Sequence, residues 1–259
     1  RHSLKKIVNL VLLKYHKLEI KMAYSIKRKI KFLLLTIGGR NRHLKRGVKC
    51  NSKWYGNMYG GFYVCPTALN EDSVIYSFGI GEDISFDKDM IENHNCYVFG
   101  FDPTPKSINW LANQKLPERF KFHEFGISNK SGTVDFYLPK NQNHVSGSII
   151  IQDNIDTQEK TSVIIKSLDH ILRDLGHQHI DVLKMDIEGA EYDVIENILK
   201  SKISISQILI EFHDRFFENG KLKTQETIKK LNDEGYKIFA VSETYEEVSF
   251  IHKDSLKKT

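Results

Sequence analysis

The chain has 259 residues, 40% of them hydrophobic, which suits one sizeable globular domain with an appendage. Its three cysteines, Cys50, Cys65 and Cys96, are odd in number, widely spaced and form no C-x-x-C pair. Cysteine usage therefore indicates neither a disulfide framework nor a zinc site, and a reducing, cytoplasmic setting is expected. The formal net charge of +5 is unevenly placed: residues 1–50 carry 15 Lys or Arg and one acid, Glu19, while the remaining 209 carry 23 basic and 32 acidic residues.

The basic arm has its own pattern. Leu4, Ile7, Val8, Val11, Tyr15, Leu18 and Met22 recur at three- and four-residue steps, which predicts an amphipathic helix. Two readings fit: the apolar stripe packs on the body, or the helix makes peripheral contact with an anionic membrane. The longest apolar run there, Phe32 to Ile37, is far short of the roughly 20 residues that span a bilayer. We divide the chain into a helical basic extension, 1–50, and a main domain, 51–259.

Beyond the arm, Trp54 to Pro66 alternates glycines and aromatics without helical period, which predicts a loop or short hairpin at the wall of a pocket. Strands are then expected at Val74–Phe78, Cys96–Phe101, Phe120–Phe125, Thr133–Leu138, Asp181–Met185 and Ile208–Phe212, with Ser162–Ile165 pairing nearby. Helices are expected at Ile84–Asn93, Pro105–Gln114, Leu168–Leu175, Ala190–Leu199 and Thr224–Asn232, the last stopped by Gly235. Tyr236–Val241 and Val248–His252 read as a closing antiparallel hairpin. Strands alternating with helices predict an α/β fold, a mostly parallel doubly wound sheet with its ligand at the C-terminal ends of the strands.

Four places carry candidate chemistry. In SFGIGED, Gly79 and Gly81 follow Phe78 and let the backbone turn closely round a ligand. Ile84 stands where a nicotinamide fingerprint requires its third glycine, and no Gly-Lys-Ser/Thr ending makes a phosphate loop. Glu82, Asp83 and Asp87 come next instead, a set suited to a ligand with positive charge. Asp102 ends the next apolar run about 20 residues after the turn, the place from which a carboxylate accepts hydrogen bonds from a ribose. In LKMDIEGAE, Asp186 and Glu188 leave a buried strand together at a turn permitted by Gly189, either facing the cleft or capping the following helix. In IEFH, Glu211 and His213 end the next strand, and an imidazole near its usual pKa of about 6.5 is suited to removing a hydroxyl proton or to a structural role.

The succession YSFGIGEDISFD, FGFDPTP, FHEFGISNKSGTVDFY, LKMDIEGAEYDVI and LIEFH resembles the FkbM family of S-adenosylmethionine-dependent methyltransferases over roughly residues 73–252. The resemblance implies a class I, Rossmann-like methyltransferase sheet with a C-terminal antiparallel strand. It also implies methyl transfer to a hydroxyl of a sugar, glycan or small metabolite. By position, Gly79 and Gly81 would lie along the methionine part of the donor, Asp102 would hold the ribose, and Gly126, Ile127 and Ser128 would border the adenine. Asp186 and Glu188 would face the donor amine or the acceptor. Ser77 departs from the family, which commonly has an acid there, and Glu82 or Asp83 is expected to replace it.

For the chemistry, a general base drawn from His213, Glu211 and Asp186 is preferred over a divalent metal shared by the same three residues. The acceptor pocket is expected from Tyr55–Tyr63 and Asn141–Ser148. The alternative from another class is a non-catalytic protein that keeps the fold and binds a partner or membrane through the basic arm. Nucleic acid is not expected as a partner, because the acidic body offers no continuous basic groove and no N-P-P-Y-like motif.

Overall fold

The structure is a computed structural model that describes residues 42–139 and 155–258. The amphipathic pattern of residues 4–22 and the polar segment 141–148 lie outside the described residues. The chain divides into two compact units, residues 1–45 and 46–259, and the second carries the elements below.

Two short strands open that unit, β1 (Lys53–Tyr55) and β2 (Phe62–Val64), paired as an antiparallel hairpin. A run of alternating elements follows: β3 (Val74–Phe78), α1 (Ser85–His94), β4 (Tyr97–Phe101), α2 (Pro105–Ala112) and β5 (Phe120–His123). A second set comprises β6 (Gly126–Ile127), β7 (Gly132–Pro139), β8 (Ile155–Lys166) and α3 (Leu168–Leu175). The chain returns through β9 (His179–Met185), α4 (Glu191–Ser201), β10 (Ser204–Glu211), α5 (Gly220–Asp233), β11 (Tyr236–Val241) and β12 (Glu247–His252).

The boundaries follow local chemistry. The Thr104 hydroxyl accepts from the Ser107 amide at the start of α2, where Pro105 supplies the pre-set φ of a first helical residue. Helix α3 ends on Gly176 and α1 on Asn95, both in the left-handed conformation that closes a helix. Strand β3, apolar save for Ser77, is buried from Ile75 to Phe78 because it lies in the middle of the sheet with a neighbour on each side.

Seven strands form the main sheet in the order β11-β12-β10-β9-β3-β4-β5. The pairs β3/β4, β4/β5, β3/β9 and β9/β10 are parallel, whereas β12 runs antiparallel to both β10 and β11. The last strand therefore inserts between β10 and β11, giving the class I methyltransferase-like sheet with its antiparallel C-terminal strand. The order reverses at β3, where connections leave in both directions and open a crevice above the C-terminal ends of β3 and β9. A separate sheet, β6-β8-β7, brings Gly126, Ile127 and Phe136 to the side of that crevice.

Aromatic residues in register form its floor. Phe78, Phe101 and His123 are successive partners across β3, β4 and β5. The Phe78 and Phe101 rings stack at 4.3 Å, and Phe101 and His123 at 5.0 Å. Each such cross-strand pair contributes about 0.2–1 kcal/mol beyond alanine.

The cysteines correct an expectation. Cys50 and Cys65 form a disulfide, and buried Cys96 is the free thiol. An odd count argues against a complete framework, but pairing depends on proximity. The end of β2 brings Cys65 to a Cα–Cα distance of 6.2 Å from Cys50, within the range a bridge spans. The inference of a reducing compartment thereby loses its premise. Among the described residues no helix is long and apolar enough to cross a membrane.

Candidate active site

A cleft of about 470 Å³ lies over the ends of β3, β4 and β9. Gly79 and Gly81 line it with φ of +77° and +57°, the left-handed region that glycine enters without a steric penalty. A Cβ on Gly79 would meet the Asp186 carbonyl oxygen at 1.7 Å. The turn is thus wedged between two strand ends: Gly79 N donates to Phe101 O at 3.0 Å, and Asp186 N to Phe78 O at 3.2 Å.

Asp102, 4% exposed, lines the cleft and organises its own end. Its Oδ2 accepts from the Gly81 amide at 2.9 Å, and its Oδ1 accepts from the Thr104 amide at 2.8 Å and hydroxyl at 2.6 Å. One carboxylate therefore fixes the glycine turn and the start of α2. Phe78, Gly126 and Ile127 also line the cleft, while Ser128 does not; the Ser128 amide instead donates to Lys166 O at 3.0 Å.

The two acids expected to replace the missing one at Ser77 both line the cleft and have partners of their own. Glu82 pairs with Lys106 at 3.4 Å, both side chains more than a third exposed. Asp83 accepts from the Ser85 amide and hydroxyl, each at 2.9 Å, holding the first turn of α1, and from Asn57 Nδ2 at 2.7 Å. Through Asn57, Asp83 also anchors the loop between β1 and β2, whose Asn57, Tyr59 and Gly60 line the cleft as the Tyr55–Tyr63 expectation anticipated. Asp87, which the sequence grouped with Glu82 and Asp83 as suited to a cationic ligand, and Lys184, which it did not single out, are both buried and both in the cleft wall.

At the end of β9, Asp186 and Glu188 face the cleft, with side chains 25% and 21% exposed. The helix-capping alternative has no support here, since Ala190 is the N-cap of α4 and no side chain caps it. Glu188 has a φ of +51° beside Gly189 at +101°, an uncommon conformation for a residue with a side chain. Such strain, of order 1 kcal/mol or more, persists where surrounding contacts over-determine the backbone.

Behind these carboxylates lies His213, 1% exposed and outside the cleft lining. Its Nε2 is 3.3 Å from Glu188, 3.5 Å from Glu211 and 3.7 Å from Asp186. Its Nδ1 is 3.4 Å from Glu191 Oε1 without hydrogen-bond alignment. Burial alone would discharge the ring, but Glu191, Glu188 and Asp186 outweigh it and hold the imidazolium up to about pKa 9. This corrects the expectation of a histidine near 6.5: at neutral pH the ring already carries its proton and cannot take another. Glu211 is pushed well above the usual carboxylate range, first by burial and then by Asp186.

Glu191, fully buried, is the residue that builds this corner. Its Oε2 accepts from the Gly189 amide at 2.9 Å and its Oε1 from the His213 amide at 2.8 Å, tying the turn after β9 to the one after β10. It stood in the LKMDIEGAE motif, yet only the tertiary partner on another strand reveals its task. Asp186, Glu211 and His213 present ligand atoms within 4.8 Å of one another, a donor set that could hold a divalent ion once the imidazole is neutral.

Comparison with known proteins identifies a family. The model of a family described as the methyltransferase FkbM domain matches residues 76–238. A probable methyltransferase-like protein 24 of Homo sapiens is 29% identical over 59% of this chain, which spans only 36% of that relative's length. The 2-O-methyltransferase NoeI of Sinorhizobium fredii is 26% identical, covering 73% of this chain and 82% of the relative. A crystal structure of methyltransferase FkbM from Methylobacillus flagellatus superposes over 71% of this chain and 44% of its own, at 14% identity and a TM-score of 0.45.

Proposed function

This chain belongs to the FkbM methyltransferase family, and from that premise we propose that it transfers a methyl group from S-adenosylmethionine to a hydroxyl of a sugar or related small metabolite. One observation carries the reading. A single cleft has a glycine turn and Asp102 on one side and two carboxylates, Asp186 and Glu188, on the other. The residues fit the donor: Phe78, Ile127 and Phe136 form an apolar shelf for a base, and Asp102 keeps one lone pair, on Oδ2, for a ribose hydroxyl. The names of relatives narrow the acceptor class, since NoeI is a 2-O-methyltransferase and AglP of Haloferax volcanii, 23% identical, is a hexuronic acid methyltransferase.

When bound, the donor supplies a methyl carbon already activated by its sulfonium. The protein then has to align the acceptor oxygen and exclude water, which is where most of the rate enhancement arises. Asp83 and Asn57 hold the loop of Tyr59 against the cleft mouth, placing a wall where an acceptor enters. Of the three base candidates only Asp186 lines the cleft, so Asp186 takes the hydroxyl proton. His213 and Glu211 act behind it as positioning residues: the imidazolium holds Asp186 and Glu188 side by side against their mutual repulsion. With the imidazole neutral, Asp186, Glu211 and His213 would hold a divalent ion, which would supply Lewis acidity toward the hydroxyl.

Titration calorimetry of the full chain with S-adenosylhomocysteine, followed by mass spectrometry of a sugar panel incubated with donor, tests this. Donor-product binding and one methyl added to a sugar hydroxyl are expected. Absence of binding overturns the enzyme reading, and methylation confined to non-hydroxyl acceptors overturns the reaction class. Repeating the assay with a chelator separates the two routes: loss of turnover that returns with a divalent ion favours the metal over Asp186 alone.

A further inference from the structure

The strand that forms the donor turn lacks a carboxylate, and the fold supplies one from a helix. Ser77 of β3 and Lys184 of β9 are register partners in adjacent parallel strands, so their side chains leave the sheet on the same face. Ser77 is fully buried and Lys184 is 4% exposed. Lys184 Nζ donates to the Gly79 carbonyl at 3.2 Å and lies 5.5 Å from the centre of the Phe62 ring. Neither neighbour neutralises it, and a buried ammonium needs an anion. With serine at position 77 the strand provides none.

Asp87, in the first turn of α1, is the buried acid whose charge acts on Lys184. Its side chain is 2% exposed yet borders the same cleft as Lys184. Lys184 and the Ser77 hydroxyl both favour its ionised form, against a burial that opposes it. Even so, neither Asp87 Oδ1 nor Ser77 Oγ forms a well-aligned hydrogen bond among the described residues. An orphaned, buried carboxylate oxygen in the wall of a cleft calls for a ligand that donates to it.

The position of Asp87 says which part of a ligand that is. Lys184 is bonded to Gly79, and Gly79 is pressed against the Asp186 backbone, so Asp87 shares its end of the cleft with these three. Asp102, Thr104 and Gly126 build the other end, where a nucleoside fits. A buried anion beside a buried cation is the complement of a zwitterion, in which the ammonium meets Asp87 and the carboxylate meets a remaining N–H of Lys184. Glu82 and Asp83 already have partners of their own, whereas Asp87 Oδ1 accepts no well-aligned hydrogen bond among the described residues.

We propose that Asp87 binds the α-ammonium group of the methyl donor, replacing from helix α1 the strand-borne acid whose place Ser77 occupies. The inference rests on reading the cleft as a donor site.

Three probes test it by calorimetry on the full chain: S-adenosylhomocysteine, its decarboxylated analogue that keeps the amine, and 5′-methylthioadenosine, which has no amino-acid tail. Asp87→Asn is expected to weaken the first two by about ten- to a hundredfold, the range for losing a charged hydrogen bond, and to leave the third unchanged. Equal weakening of all three would make Asp87 a purely structural partner of Lys184 and overturn the proposal, as would unchanged binding of S-adenosylhomocysteine. If the unaltered chain binds none of the probes, the donor reading itself fails. Binding of all three without discrimination by Asp87→Asn removes Asp87 alone. Should the variant not fold, the unaltered chain decides: S-adenosylhomocysteine is expected to bind at least tenfold more tightly than its desamino analogue, and equal affinities overturn the proposal.

Discussion

Asp87 makes stability depend on pH in a direction opposite to that of most carboxylates. Burial raises its folded pKa from 3.8 to about 6, in spite of Lys184 and Ser77. Between those two values the native chain holds a proton that the unfolded chain releases. The stabilisation is therefore complete below pH 3.8 and is lost as pH rises through about 6. At 1.36 kcal/mol per pH step, that gap corresponds to about 3 kcal/mol. Asp87→Asn removes the titration while keeping the shape of the protonated acid. Urea unfolding of both proteins, measured from pH 4 to pH 7.5, gives a stability difference at each pH, from which contributions common to both cancel. The unaltered chain is expected to lose about 2.4 kcal/mol relative to the variant across this range. A difference that stays constant within about 0.5 kcal/mol, with equal denaturant slopes, would refute a buried, titrating Asp87.

Gly79→Ala is expected to abolish binding of S-adenosylhomocysteine and to lower the melting temperature, because its Cβ would fall 1.7 Å from the Asp186 carbonyl at a φ of +77°; unchanged binding would contradict the wedged turn. Thiol titration of the denatured, unreduced chain is expected to find Cys96 alone, and Cys50→Ser to cost about 3 kcal/mol for opening a loop of 15 residues; three reactive thiols would contradict the bridge. Glu191→Gln is expected to destabilise the chain by about 3–5 kcal/mol, since it takes from the buried imidazolium its one fully buried carboxylate partner. In the same variant the NMR titration of His213 should move down from about 9; an unshifted midpoint would mean that Glu188 and Asp186 alone hold the proton.

The sequence by itself determined the architecture. The alternation of apolar strands and amphipathic helices placed β3, β9 and the closing hairpin within a residue or two of their ends, because period and punctuation are local properties. It also determined that Gly79, Gly81, Asp102, Asp186 and Glu188 would converge, since residues that end neighbouring parallel strands must share one crevice.

Tertiary structure decided how each of them is used. Whether Cys50 meets Cys65 depends on where β2 delivers its end, and no spacing rule contains that. The charge of His213 depends on three carboxylates from β9 and α4, which turned a candidate base into a buried cation. Which acid lies buried beside Ser77 depended on a helix face rather than on nearness in sequence. Glu82 and Asp83 directly follow the turn but spend their charge on Lys106, Ser85 and Asn57, while Asp87, one helical turn on, packs over the face where Ser77 and Lys184 project. Sequence fixes which groups are near along the chain, but the partners that set a buried group's charge come from other strands and helices, and only packing brings them within reach.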